Sequence, residues 1–233
     1  MLAYLQKSGQ LVLDLLYPPR CVHCASTEDW FCQDCFNRIA FITPPVCQRC
    51  GTPISEARCK ECAHNPLHAI DGIRSASYFE DNPIRSAIHF LKYRDHKAVA
   101  AALGRILAEA YRSYQLQANV LVPVPLHPSR YKERGYNQSE LLVKELALTL
   151  GLPVDTKTLQ RIRVTKSQMT LGISERHQNV KEAFACKDER FAGKQILLID
   201  DVCTTGSTLD AGAAALKASG VTAVWGLTLA RAR

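Results

Sequence analysis

Residues 196–208 read Ile-Leu-Leu-Ile-Asp-Asp-Val-Cys-Thr-Thr-Gly-Ser-Thr and join an apolar run, two carboxylates and a hydroxyl-rich glycine loop. The apolar run, Gln195 to Ile199, predicts a buried strand of a parallel sheet, and ligands of such sheets bind beyond the carboxyl ends of the strands. At least one of the following carboxylates, Asp200 or Asp201, should face a polyol or a hydrated metal, because an unpaired carboxylate is costly to bury. The loop precedes a helix predicted from about Thr208 to Ser219. A helix N-terminus is a favourable phosphate-binding site, because its first N–H groups are free. The stretch therefore predicts a phosphosugar site.

The complete stretch resembles the phosphoribosyl pyrophosphate (PRPP) motif of type I phosphoribosyltransferases, which has four apolar residues, two acidic residues and a Thr-Thr-Gly-x-Thr loop. A shorter Asp-x-x-x-Thr-Gly match would equally fit an ordinary strand, turn and capped helix. The resemblance implies that Asp200 and Asp201 bind the ribose hydroxyls. It also implies that the 5′-phosphate lies on a loop formed by Thr204, Thr205, Gly206, Ser207 and Thr208.

A second group of motifs indicates a narrower family. A Val-Pro-x-Pro strand end at Val122–Pro125 precedes an Arg-Gly-Tyr-Asn-Gln signature at 134–138, and a spaced Arg, Thr, Gln, Leu, Arg, Asn, Ala-Phe pattern runs from Arg163 to Phe184. These motifs resemble the ComF/GntX family of phosphoribosyltransferase-like proteins, and the resemblance covers nearly the whole chain.

The family resemblance also implies where a diphosphate would lie. The loop after the strand end would bind pyrophosphate through Val124 and Pro125, with cations nearby at Arg130, Lys132 and Arg134. Lys92 would be a further pyrophosphate contact, although from the residues alone a solvated helix end is the better explanation.

Strands and helices alternate after the cysteine-rich start. Helices are predicted from Asp81-Asn82-Pro83 to Lys92, from His96 to Tyr114 and from Asn137 to Leu150, a strand from Val120 to Val124, and a final strand ending near Leu229. This order predicts an α/β fold with a doubly wound parallel sheet of the type I phosphoribosyltransferase kind, preceded by a small zinc-ribbon domain. The expected units are an N-terminal helix at 1–18, a double zinc ribbon at 19–68 and a phosphoribosyltransferase-like domain at 69–233.

Eight of the ten cysteines precede residue 63 as four Cys-x-x-Cys pairs: Cys21/Cys24, Cys32/Cys35, Cys47/Cys50 and Cys59/Cys62. Such a pair can point two thiolates at one tetrahedral zinc, so eight ligands predict two zinc ions. Disulfides are the alternative, but phosphosugar chemistry belongs in a reducing cytosol and the sequence shows no cleavable signal. Adjacent or crossed pairs could share an ion, and the family's double zinc ribbon favours adjacent ones. A shell filled by thiolates predicts structural rather than catalytic zinc.

The stretch from Leu2 to Leu16 has leucines at helical spacing but also carries Gln6, Lys7 and Asp14. It is too short and too polar to span a membrane, so it predicts an amphipathic helix that docks on the body of the protein. No other membrane span is predicted, and the expected location is the cytoplasm.

The formal charge of +7 belongs to residues 71–233, since residues 1–70 hold equal numbers of basic and acidic side chains. The region from Arg130 to Lys181 has ten basic and five acidic residues, with Tyr131 and Tyr136 among them. Cations with interleaved aromatics suit single-stranded nucleic acid, but they also suit a phosphorylated ligand or a solvated surface. The ComF resemblance implies a role in natural transformation, with single-stranded DNA and other DNA-uptake proteins as partners. The charge pattern makes Arg130, Lys132 and Arg134 the candidate DNA contacts.

The polar segment from Arg161 to Asn179 predicts a loop that closes over substrate, or else a solvated loop. Its cations Arg161, Arg163 and Lys166 are candidates to stabilise departing pyrophosphate, and with Asp200 and Asp201 they complete the catalytic set that the resemblance implies. Cys203 is predicted by default to be a small apolar residue in a packed site. Its place near a helix N-terminus adds the hypothesis of an acidified, oxidation-sensitive thiol. The residues identify no general base.

The first hypothesis is a ComF-type protein that binds PRPP with magnesium and acts in DNA uptake or the processing of incoming DNA, with phosphoribosyltransferase activity if it turns PRPP over. One alternative is a nucleobase-salvage phosphoribosyltransferase. Another is a non-catalytic PRPP sensor or DNA-binding adaptor.

Overall fold

The computed structural model describes residues 18–27, 29–55, 58–93, 98–163 and 183–232. The predicted N-terminal helix, Lys166 and most of the predicted Arg161–Asn179 loop lie outside these residues. No helix within the described ranges is long and apolar enough to cross a membrane.

Elements are numbered in chain order within the described residues. The helices are α1 (Gln33–Asn37), α2 (Lys60–His64), α3 (Pro83–Tyr93), α4 (Val99–Ser113), α5 (Pro128–Arg134), α6 (Gln138–Leu150) and α7 (Ser207–Ala218). The strands are β1 (Gly72–Tyr78), β2 (Val120–Pro123), β3 (Leu159–Arg161), β4 (Phe184–Cys186), β5 (Gln195–Cys203) and β6 (Ala223–Arg231).

The main sheet is parallel and has the strand order β1-β6-β5-β2. Its central strand β5 pairs Ile199 with Leu227 of β6 and with Pro123 of β2, so the ends of these strands lie at one edge. A separate antiparallel pair joins β3 to β4. The predicted parallel α/β sheet is confirmed.

Helices cover both faces of this sheet, because β5 alternates its apolar side chains between two cores. Leu197 and Ile199 pack with α3, α4 and α6, whereas Ile196 and Leu198 pack with α7 and the β3–β4 pair. All four side chains are fully buried. The strand that carries the site is therefore fixed by helices packed on both faces of the sheet.

Strand β1 was not predicted from the sequence. It reads Gly-Ile-Arg-Ser-Ala-Ser-Tyr, so it lacks the apolar run that marks a buried parallel strand. Its serines are buried all the same, because Ser75 Oγ lies 2.7 Å from Thr228 Oγ1 on β6. A cross-strand hydroxyl pair satisfies the polar groups that would otherwise oppose burial.

Helix α5 replaces part of the loop predicted after Pro125. His127 caps it by accepting a hydrogen bond from the Ser129 amide at its Nδ1, Pro128 occupies the first turn, and Gly135 ends it with φ +80°. Proline at the start and glycine after the end are the ordinary helix signals. The basic residues predicted to lie on a loop therefore lie on a short helix.

Candidate functional site

The two carboxylates after the apolar run of β5 have different partners. Asp201 is 4% exposed, and its Oδ2 lies 2.7 Å from Nζ of Lys92 in the last turn of α3. Asp200 is partly buried, and its Oδ1 accepts hydrogen bonds from Ser139 Oγ at 3.0 Å and from the Asp201 amide at 2.9 Å. Lys92, predicted from the sequence as a pyrophosphate contact, thus lies in the site with its ammonium group on a carboxylate.

Asp200 has a raised pKa. Burial and then the neighbouring charge of Asp201 raise the pKa of Asp200 to about 7, although Lys92 and the two hydrogen bonds act in the opposite direction. Asp200 therefore exchanges its proton near neutral pH, where an ordinary aspartate stays ionised.

The loop after β5 divides its hydroxyl groups into two classes. Thr205 and Ser207 are buried and bond each other, with Oγ1 and Oγ 2.6 Å apart. Thr204 and Thr208 are partly exposed and line a small pocket together with Asp200, Val202, Cys203, Gly206 and Leu209. The sequence suggested four hydroxyls for a ligand, whereas the structure uses two of them to stiffen the loop.

Gly206 is the residue that lets the loop turn into α7. Its φ is +84°, and a Cβ there would lie 2.7 Å from Cδ1 of Ile73. A side chain would therefore meet both backbone strain and a packed core residue. The glycine of the motif is required by this geometry.

Cys203 does not have the acidified thiol that the sequence suggested. It is 4% exposed, and burial raises the pKa of its thiol to about 11, against an opposing effect from the charge of Arg231. A protonated, enclosed thiol is a poor nucleophile. The hypothesis of an acidified thiol is wrong, whereas the default interpretation, a small residue in a packed site, agrees with the burial of Cys203.

Four consecutive buried residues, Tyr136 to Ser139, hold the edge together. The Tyr136 hydroxyl donates to the Leu91 carbonyl beside Lys92, and Asn137 Nδ2 donates to the Val124 carbonyl at 3.0 Å. Sequence reasoning used this segment to recognise the family but assigned no site role to Asn137 or Ser139. Their signal was present, since polar residues that follow a glycine turn and open a helix are expected to bond locally.

The basic residues near the edge fall into separate environments. Arg130 and Lys132 are exposed on α5, where Arg130 pairs with Glu133 at 3.1 Å. Arg134 is partly buried and donates to Gln138 Oε1 at 2.6 Å. The structure thus gives Arg134 a local partner that the sequence did not suggest.

The predicted catalytic arginines also differ. Arg163 is exposed, whereas Arg161 is partly buried with its guanidinium 5.5 Å from the ring centre of Phe184. Burial lowers the pKa of Arg161, while the charge of Asp200 favours its cation. Arg161 is therefore the arginine of this pair that the structure brings within electrostatic reach of the carboxylates.

The eight N-terminal cysteines form two compact clusters of four. The first contains Cys21, Cys24, Cys32 and Cys35, and the second contains Cys47, Cys50, Cys59 and Cys62. Sulfur-to-sulfur distances are 3.5 and 3.6 Å in the first cluster and 3.5 and 3.7 Å in the second. Four thiolates about 2.3 Å from a tetrahedral zinc would be about 3.8 Å apart, so both clusters fit zinc. The question of pairing is answered in favour of adjacent Cys-x-x-Cys pairs.

The second cysteine cluster packs directly on the main sheet. Arg231 of β6 donates to the Cys50 carbonyl at 2.5 Å, and Arg74 of β1 donates to the Gln48 carbonyl at 2.9 Å while stacking 4.9 Å from the Trp225 ring. Both guanidinium groups belong to buried residues. The carbonyls of the cluster thus satisfy buried cations of the α/β domain.

A parallel α/β sheet with a carboxylate pair and a glycine loop at one edge, preceded by two clusters of four cysteines, defines a phosphoribosyltransferase-type domain joined to a double zinc ribbon. The double zinc ribbon domain model matches residues 12–64, and the phosphoribosyl transferase domain model matches residues 89–232. The chain belongs to the ComF family of competence proteins.

Named relatives support this membership. Competence protein F of Haemophilus influenzae is 31% identical over 226 residues, which cover 91% of this chain and 97% of that protein. DNA utilization protein YhgH of Escherichia coli K12 is 33% identical and covers 77% and 81%, and Competence protein ComFC of Bacillus subtilis is 26% identical and covers 83% and 80%. Among solved structures, glutamine PRPP amidotransferase from B. subtilis superposes with a TM-score of 0.41 at 20% identity, over 61% of this chain and 30% of that chain.

Proposed function

We propose that this protein binds PRPP with magnesium at the carboxyl edge of its parallel sheet. The observation that carries the proposal is the meeting of Asp200 with the Gly206 loop at one pocket, with Asp201 next to it on Lys92. Carboxylates are acceptors for the ribose hydroxyls, and the amides that open α7 favour a phosphate.

Each part of the edge has a chemical task in this proposal. Asp200 and Asp201 accept hydrogen bonds from the ribose, while Thr204 and Thr208 and the loop amides hold the 5′-phosphate. The segment after β2, Val124 and Pro125, lies beside β5, since the Val124 amide donates to the Ile199 carbonyl at 2.9 Å. In this proposal the diphosphate lies next to that segment, although the Val124 amide itself is already bonded.

Magnesium would be carried by the diphosphate and would neutralise its charge. If the protein turns PRPP over, a nucleophile forms a bond to the anomeric carbon as the bond from that carbon to pyrophosphate breaks. Arg161, whose cation is favoured by the charge of Asp200, is a candidate to stabilise the charge that develops on the leaving group.

Calorimetric titration with PRPP and magnesium tests the proposal. Replacing Asp200→Asn together with Asp201→Asn should weaken binding by about 100-fold or more, because two charge-assisted hydrogen bonds are lost. The matched control is Asp188→Asn with Glu189→Gln, another adjacent acidic pair, which precedes β5 and so lies toward the opposite edge of the sheet. Equal affinities for all three proteins, or no binding by the zinc-loaded native chain, would reject the proposal.

A second function, binding of single-stranded DNA in the cytosol, is supported by α5. Arg130, Tyr131 and Lys132 are exposed together on this helix, and Tyr131 is 44% exposed. Cations can follow a phosphate backbone while an aromatic ring stacks on a base. The relatives named for competence or DNA utilization favour the same role in DNA uptake.

The charge-reversal pair Arg130→Glu and Lys132→Glu tests that second function. It should lower the slope of log affinity against log salt by about 1.4, which corresponds to two lost phosphate contacts. Reversal of Arg105 and Arg112 on α4 should leave the slope unchanged. An identical salt slope in both variants would exclude α5 as the DNA contact.

Turnover separates the remaining hypotheses. Pyrophosphate release that depends on an added purine or pyrimidine base would indicate a salvage enzyme. PRPP binding without release under any base or DNA would indicate a sensor or adaptor that retains the site for regulation.

A further inference from the structure

We propose that Ser139 is the positioning residue for the ligand-binding carboxylate, and that it holds Asp200 so that Oδ2 is the oxygen offered to the ribose. This inference rests on the proposed PRPP site and adds to it a residue outside the PRPP motif. Ser139 lies 61 residues before its partner in the chain and is fully buried.

The hydrogen bonds of Asp200 are distributed unequally between its two oxygens. Oδ1 accepts from Ser139 Oγ at 3.0 Å and from the Asp201 amide at 2.9 Å. Within the described part of the chain, no hydrogen bond is made to Oδ2. Because two donors fix Oδ1, the plane of the carboxylate is set and Oδ2 remains for an incoming hydroxyl.

The position of Ser139 is itself fixed by a closed circuit of hydrogen bonds. Its amide donates to Asn137 Oδ1 at 3.0 Å, and Asn137 Nδ2 donates to the Val124 carbonyl at 3.0 Å. The Val124 amide in turn donates to the Ile199 carbonyl, immediately before Asp200. The circuit ties the exit of β2 to the exit of β5, so the two proposed halves of the ligand site keep a fixed spacing.

The hydrogen bond from Ser139 also affects the protonation of Asp200. Burial raises the pKa of Asp200, and the Ser139 hydroxyl is one of the groups that oppose this rise. Loss of the hydroxyl should therefore leave Asp200 more often protonated at neutral pH. A protonated, rotatable carboxyl group would accept ribose hydroxyls less well than a fixed carboxylate.

The test compares Ser139→Ala and Ser139→Cys with the native chain. Cysteine keeps nearly the size of serine but donates only weakly, so both variants should behave alike if the hydroxyl is responsible. The control is Ser219→Ala, which removes a hydroxyl at the far end of α7 that donates to the Leu216 carbonyl. Zinc content and far-UV circular dichroism establish that each variant is folded.

The pKa of Asp200 and the affinity for PRPP together test the positioning role of Ser139. In ligand-free protein labelled with ¹³C at the aspartate carboxyl groups, with the Asp200 signal assigned by Asp200→Asn, the pKa of Asp200 should rise by about one unit in both Ser139 variants. Affinity for PRPP with magnesium at pH 7 should fall about tenfold in the same variants and stay constant in Ser219→Ala.

An unchanged pKa in folded Ser139 variants would overturn the Ser139 assignment even if PRPP binds. A raised pKa with undiminished affinity would show that the bond exists but positions nothing, which also overturns it. If the native chain binds no PRPP, the proposed function fails and the positioning role falls with it, while the carboxyl titration separately reports whether the Ser139 contact forms.

Discussion

At the scale of single residues, adjacent aspartates behave differently because their partners differ. Asp201 has an ammonium group at 2.7 Å, whereas Asp200 has only neutral donors and a like charge beside it. The motif placed both carboxylates at the end of β5. It did not indicate which one would have a pKa near neutrality, because that depends on α3 and α6, which are distant in sequence.

Asp200→Asn should stabilise the protein in a pH-dependent way. The pKa of Asp200 is raised to about 7 in the folded state, so the folded state binds more protons than the unfolded state and stability falls as pH rises from about 4 to 7. Asparagine removes this penalty. The melting temperature should therefore increase by a few degrees at pH 8.5 and by clearly less at pH 6, as measured by scanning calorimetry. An increase independent of pH would contradict the raised pKa.

Gly206→Ala should be more costly than an equivalent substitution in open space. Gly206 and Gly193 have similar φ values of +84° and +73°, but a Cβ on Gly193 meets nothing within 4 Å. Alanine at Gly193 should cost about 1 kcal/mol of unfolding free energy from backbone strain alone, and alanine at Gly206 about 3 kcal/mol because Ile73 must also move. Urea denaturation measures both. Equal losses would mean that the core yields to the methyl group.

At the scale of elements, the sequence predicted best where one signal dominates. The capped, leucine-rich α6 lies close to its predicted bounds, and β5 begins at the predicted Gln195 but continues through both aspartates to Cys203. Strand β1 was not predicted, because it has no continuous apolar run. Its burial depends instead on the hydroxyl pair that Ser75 forms with Thr228 of β6. The tie between Ser139 and Asp200 could not be predicted, since it requires the register of two elements that only the folded sheet brings together.

The first turn of α7 is bound to the segment before β1 by one carboxylate. Asp210 Oδ1 accepts from the amides of His68, Ala69 and Ile70 at 2.8 to 3.0 Å. Asp210→Ala should lower the free energy of unfolding by about 3 kcal/mol, because three amides lose their acceptor. Asp210→Asn keeps an acceptor oxygen and should lose less than half as much. Denaturant titration distinguishes the two, and equal losses would assign the effect to charge rather than to the acceptor.

At the scale of the whole molecule, the second cysteine cluster and the proposed phosphate loop share a neighbour. A Cβ on Gly51, next to Cys50, would lie 2.2 Å from the Ile73 carbonyl, and a Cβ on Gly206 would meet the Ile73 side chain. The cluster and the loop therefore pack on the same residue of β1. Neither domain motif indicated this contact.

Loss of the second zinc site should weaken PRPP binding more than loss of the first. Cys59→Ser disturbs the cluster that packs beside Ile73, whereas Cys24→Ser disturbs the first cluster, whose Cys21 and Cys35 pack in the core formed with α3, α4 and α6. Both variants should bind one zinc ion instead of two, as measured by atomic emission. Calorimetry should show at least a roughly threefold larger loss of PRPP affinity for Cys59→Ser. Equal affinities would show that the loop does not depend on the adjoining zinc.

The buried arginines Arg74 and Arg231 limit how the chain can be divided. Their carbonyl partners, Gln48 and Cys50, come from the zinc ribbon, although both guanidinium groups belong to the sheet. A fragment cut before residue 69 would keep two buried cations and lose the groups that solvate them. The two domains have separate sequence motifs, but the sheet domain depends on the ribbon to fold. A chimera that exchanges the ribbon between relatives should therefore fold only if the two arginines are exchanged together with the ribbon segment that binds them.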